Sequence, residues 1–107
     1  MIIVSLIYFK IFSNKLLIQP FGYSILIVSS RSMEPQIKKR NFILIKKCSK
    51  YEAGEIITFS IDKSNLITHR IVEKCESEFI TKGDKNNVYD EESINIDEIY
   101  GKVIFIF

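Results

Sequence analysis

Residues 56–74 read IITFSIDKSNLITHRIVEK. Two apolar, β-branched runs, Ile56–Ile61 and Leu66–Lys74, flank the polar break Asp62–Asn65, which is the pattern of a β-hairpin. A second polar break, Lys74–Ser77, leads into another run, Glu78–Lys82. Upstream, Tyr23–Ser29 and Phe42–Lys47 repeat the pattern, and Lys102–Phe107 repeats it at the far end. Six short strands with short connections specify a mainly β domain, a small antiparallel sheet or barrel-like fold. Twenty-one isoleucines against four glycines and two prolines point the same way, because β-branched side chains lose rotamer freedom in helices and pack well on pleated surfaces. Only Met1–Ile18 and Ile94–Ile99 read as helical.

The chain has 107 residues, enough for one domain. Hydrophobic residues make up 47% of it, so a packed core is within reach and global disorder is excluded. Fifteen basic residues against thirteen acidic ones leave a net charge of only +2. No large basic excess is available for phosphate contacts, so no nucleic-acid partner is expected. Cys48 and Cys75 are too few for a disulfide scaffold and are expected to be free. They lack metal-ligand spacing, and with one histidine no metal site or other cofactor is expected.

Met1–Phe9 is apolar except for Ser5, and Lys10, Asn14 and Lys15 interrupt the apolar pattern from there to Ile18. A spanning helix needs about 20 mostly apolar residues, and Lys10 would fall near its middle, at roughly 2.5–3.5 kcal/mol on insertion scales. Two readings stay open: the first amphipathic helix of a soluble protein, or a shortened membrane anchor. Pro20 and Gly22 close the segment. The expected organisation is an N-terminal hydrophobic segment, residues 1–20, and a β domain, residues 21–107.

Three polar features stand out, each of which reads either as structure (a strand-end serine pair, a hydrogen-bonded core histidine, a self-capped turn) or as chemistry. Ser30–Arg31–Ser32–Met33–Glu34–Pro35 ends a strand at Pro35 and leaves Ser32 at a strand terminus, where a side chain can face a cleft. Strand alternation sets His69 on one face of Leu66–Val72 with Ile67 and Ile71. Thr81–Asp90 contains the loop Gly83–Asn87, rich in turn formers, and in this stretch Asp84 or Asp90 either caps its own backbone or orients an imidazole. Together they supply a nucleophile, a base and an acid in the order Ser, His, Asp. A serine hydroxyl is a poor nucleophile until a base takes its proton, and His69 is the only histidine available for that.

At these residues the chain resembles the type I signal peptidases, in particular the endoplasmic-reticulum-type branch with a serine–histidine–aspartate site. The resemblance runs through Gly22–Tyr23, Ser30–Pro35, Gly54–Phe59, Thr68–Val72, Thr81–Asn86 with Asp90, and Gly101–Val103. It implies a β-rich catalytic domain and a membrane-bound serine endopeptidase on the extracytoplasmic side. Such an enzyme cuts signal peptides from secreted precursors after small residues at −1 and −3. By similarity Ser32 is the nucleophile, His69 the general base, and Asp90, with Asp84 as a second acid, the group orienting it. The Ser32 amide and the Ser30 hydroxyl would form the oxyanion hole. Substrate would lie extended beside Ser29, Arg31 and Met33. The implied partners are signal peptides, the lipid bilayer and a partner protein in the membrane.

The family usually has glycine where Arg31 stands, glycine–aspartate where Arg40–Asn41 stand, and aspartate in place of Glu55. Arginine at 31 requires a negative backbone φ and sets a long cation beside the scissile bond. The alternative function is a non-catalytic β domain derived from such an enzyme, which binds precursors or a partner without cutting them. Loss of activity in Ser32→Ala separates the two.

Overall fold

The computed structural model describes the backbone of residues 9–12 and 15–18, and residues 22–63 and 65–107 in full. Seven strands form one curled antiparallel sheet: β3 (Tyr23–Ile27), β4 (Phe42–Lys46), β5 (Ile56–Phe59), β6 (Ile67–Cys75), β7 (Glu78–Lys82), β8 (Ile94–Asn95) and β9 (Ile99–Ile106). Their order across the sheet is β3-β4-β9-β5-β6-β7-β8. The final strand therefore inserts between β4 and β5 and joins the two halves of the chain. All six strands expected from the sequence are present, and both expected hairpins form, β5 with β6 and β6 with β7.

Two corrections concern the segments read as helical. Over the described part of Met1–Ile18, β1 (Phe9–Phe12) and β2 (Lys15–Ile18) pair antiparallel, Phe9 with Ile18 and Phe12 with Lys15. Phenylalanine and isoleucine favour a pleated surface, and a run of this length is marginal as a helix. The rest of the segment lies outside the described residues. At Ile94–Ile99, a two-residue strand and a 3-10 turn (Ile96–Glu98) replace a helix. Asn95 caps that turn: its side chain accepts from the Asp97 amide, and Glu98 accepts from the Asn95 amide at 2.8 Å. No helix among the described residues is long and apolar enough to cross a membrane.

The core divides into two clusters. Leu26, Val28, Met33, Ile37, Ile43 and Ile45 fill one; Tyr51, Ile57, Phe59, Ile71, Phe79, Ile94 and Ile99 fill the other. The strand alternation predicted around His69 holds through Ile71, with His69 and Ile71 buried. Val72 keeps the pattern as the less buried neighbour, and a register shift against β7 between Ile71 and Glu73 ends it. Ser32 therefore leaves one core beside Met33, and His69 projects next to the other beside Phe59, with ring centroids 6.4 Å apart. Cys48 and Cys75 are free thiols.

Candidate active site

Ser32 lies in the turn of chain beyond β3, where Met33 plunges into the core and fixes the backbone on which the serine sits. His69 occupies β6 opposite Ile57 of β5, so strand pairing holds its backbone. Only 9% of the residue is exposed. Its Nε2 lies 3.1 Å from Ser32 Oγ, and its Nδ1 lies 2.6 Å from Asp90 Oδ2. A hydroxyl, an imidazole and a carboxylate thus stand in series, drawn from positions 32, 69 and 90. With Nδ1–H donated to Asp90, Nε2 is left as the acceptor facing the hydroxyl.

Asp90 is itself held twice. Thr81 Oγ1 donates to the same Oδ2 at 2.6 Å, and the Asp90 amide donates to Thr81 O at 2.8 Å. Reading the sequence alone gives Thr81 no part, and nothing in its spacing marks it. Its side chain matters because β7 runs beside β6 and carries Thr81 opposite Ile71.

Of the two acids left open by the sequence, only Asp90 reaches the imidazole. Asp84 turns away to Arg70, which grips it with two parallel hydrogen bonds, Nε to Oδ1 at 2.9 Å and Nη2 to Oδ2 at 2.8 Å. That pair holds the Asp84 carboxyl below its ordinary value. Arg70 also donates to Gly54 O at 2.8 Å, so it binds the 83–90 loop and the turn before β5 to β6. Alternation explains the split: His69 and Arg70 are adjacent in a strand and point to opposite faces, so each takes a different aspartate.

Gly83 brings the loop against Ser32. A Cβ there would lie 2.8 Å from Ser32 O, 3.0 Å from Ser32 Cβ and 2.7 Å from Asn86 Nδ2, too close for any side chain. The contact is closed by the Lys85 amide, which donates to Ser32 O at 2.8 Å. Ser30 Oγ lies 3.2 Å from Ser32 Oγ and 3.5 Å from the Ser32 amide nitrogen. The Ser32 amide donates to the Ser30 hydroxyl, so the two groups expected to receive an oxyanion lie side by side. Arg31 is not among the residues of positive φ, whereas Arg40 is, at φ 77°.

A pocket of about 310 Å³ opens beside Ser32 and His69. Leu26, Val28, Met33, Ile37, Ile43 and Leu66 make it apolar, and Ser29 and Ser30 line its edge. Of the three residues expected to flank substrate, Ser29 and Met33 line this pocket and Arg31 does not.

The family model described as Peptidase S24-like matches residues 7–104. The chain belongs to that family. Among curated proteins, this S24-like peptidase is 34% identical over 86 residues to "Signal peptidase I W" of Bacillus subtilis (strain 168), covering 74% of the chain and 45% of that protein. It is also 34% identical over 76 residues to "Signal peptidase complex catalytic subunit SEC11" of Colletotrichum graminicola, covering 64% of the chain and 44% of that protein. The family match and these names support a signal-peptidase assignment and a serine peptidase. The chain spans less than half the length of these two relatives.

Proposed function

We propose that the chain is the catalytic part of a membrane-associated serine endopeptidase that removes signal peptides, on the extracytoplasmic side, after small residues at −1 and −3. The observation that carries this is the imidazole of His69 lying between Ser32 Oγ at 3.1 Å and Asp90 Oδ2 at 2.6 Å.

In this reading His69 Nε2 takes the proton of Ser32 as Oγ attacks the scissile carbonyl, and Asp90 stabilises the imidazolium through Nδ1–H. The Ser32 amide and the Ser30 hydroxyl receive the oxyanion; one such donor is typically worth about 100–1000-fold in rate. His69 then gives its proton to the departing amine, and the acyl group stays on Ser32. Water enters, His69 takes its proton, and the ester is hydrolysed with the proton returned to Ser32. Thr81 is a positioning residue acting through Asp90, and Asp84 a positioning residue acting through Arg70. The apolar pocket suits small side chains at −1 and −3, and an extended substrate gains main-chain pairing beside residues 29–33.

The test is cleavage of a precursor peptide carrying alanine at −3 and −1, in detergent or lipid, by the natural chain, Ser32→Ala and His69→Ala. Cutting after the −1 alanine by the natural chain alone is the expected result. Cutting by all three would remove Ser32 and His69 from the mechanism. Binding of the peptide with no cutting would establish the non-catalytic alternative.

A further inference from the structure

We propose that Arg31 and Lys85 form a cationic rim on the leaving-group side of Ser32, which selects precursors carrying an acidic side chain within the first three residues after the scissile bond. The proposal rests on the peptidase reading and names its substrate preference.

Arg31 directly precedes the nucleophile, and its side chain is 68% exposed. Its only ion pair among the described residues is a long one, Nε to Glu34 Oε2 at 3.8 Å. Lys85, with its side chain 59% exposed, approaches the other oxygen of the same carboxylate at 3.9 Å. Two cations thus share one acid, and the trio keeps a net positive charge. The Lys85 backbone is anchored beside Ser32, because its amide donates to Ser32 O. The other nearby acids are engaged elsewhere: Asp84 is gripped by Arg70, and Asp90 by His69 and Thr81. Glu91 and Glu92 follow Asp90 on the Nδ1 side of the ring and line a different pocket with it. Lys38, Lys39 and Arg40 are exposed, form no ion pair among the described residues, and add to the positive field; the Lys39 amide reaches Glu34 Oε2 at 3.4 Å.

Direction comes from the apolar pocket. It takes Ser29, Ser30, Ser32 and Met33 as lining but neither Arg31 nor Lys85. If the acyl side of the substrate fills that pocket, the cations are left to the departing side. A partly solvated pair of opposite charges a few ångströms apart is worth about three- to tenfold in kcat/KM, and salt screens it.

The experiment uses the natural chain and peptides with alanine at −3 and −1 and glutamate, glutamine or lysine placed in turn at +1, +2 and +3. The expected result is a glutamate-to-lysine ratio in kcat/KM of about three to ten at one or more of these positions in low salt. It should shrink toward one in about 0.5 M salt and invert in Arg31→Glu or Lys85→Glu. Because the readout is a ratio within each variant, a change in its absolute rate does not enter. A ratio of one at all three positions, or one that both charge reversals leave intact, overturns the proposal. The affinities of the same peptides for Ser32→Ala, read by fluorescence anisotropy, keep the two readings apart. A glutamate preference in binding with no cutting by the natural chain would sink the peptidase and keep the rim. Equal affinities with equal rates would sink the rim and keep the peptidase.

Discussion

Ser32, His69 and Asp90 act as a unit in the proposed chemistry, so each should be indispensable. Ser32→Ala and His69→Ala are expected to lower kcat by about 10⁴-fold or more, and Asp90→Asn by about 10³–10⁴-fold, because the amide no longer enforces the tautomer that leaves Nε2 free. The neighbours are graded. Thr81→Val removes one hydrogen bond to Asp90 and should slow kcat by about tenfold at unchanged KM, as expected of a bond worth about 1–1.5 kcal/mol. Gly83→Ala should be worse, about 100-fold, since a methyl 2.8 Å from Ser32 O must push the nucleophile aside and displacements near 1 Å have that effect. Single-turnover rates on the alanine −3/−1 peptide measure all of these. A Gly83→Ala chain as fast as the natural one would mean that the loop is not what holds Ser32.

At the scale of elements, the connection from β3 to β4 contains a residue whose backbone is strained. Arg40 sits at φ 77°, where an L side chain crowds the following carbonyl and a glycine does not. Its amide donates to Val28 O and the Val28 amide to Asn41 O, so the turn cannot relax without losing the bonds that end β3. Arg40→Gly should therefore stabilise the domain by about 1 kcal/mol, raising Tm by about 4–8 °C in a thermal melt. An unchanged or lower Tm would contradict this account of the turn. Strand identity was legible at this scale because β5, β6 and β7 are runs with β-branched residues bounded by polar breaks. The short pieces were not: β8 has two residues and exists because Glu78 and Phe79 of β7 offer it partners, which no local pattern announces.

For the molecule as a whole, the Arg70–Asp84 pair joins β6, the 83–90 loop and, through Gly54 O, the turn before β5. Hydrogen bonding from Arg70 lowers the Asp84 carboxyl below its ordinary 3.8, with burial opposing and losing. A group depressed in the folded state contributes stability that is fully present above its unfolded value and is lost as pH falls through the lower folded value. The chain should thus keep this contribution at neutral pH and shed it below about pH 4. Asp84→Asn should melt at lower temperature than the natural chain at pH 7, and the two should converge as pH drops toward about 3 in parallel melts. A constant gap across that range would show that the pair is not the source.

The sequence by itself determined six strands of the seven-stranded sheet, because each depends on a run of a few adjacent residues whose β-branching suits a pleated surface. It also offered a single histidine, and the resemblance pointed to Ser32 and two acids as its partners. Tertiary structure alone decided between Asp90 and Asp84, because that choice depends on which faces of β6 the 83–90 loop reaches. It alone brought in Thr81, which depends on β7 lying beside β6, and set Arg31 outside the apolar pocket. Those are contacts between residues distant in the chain, and their distances are fixed by how the sheet curls rather than by any local preference.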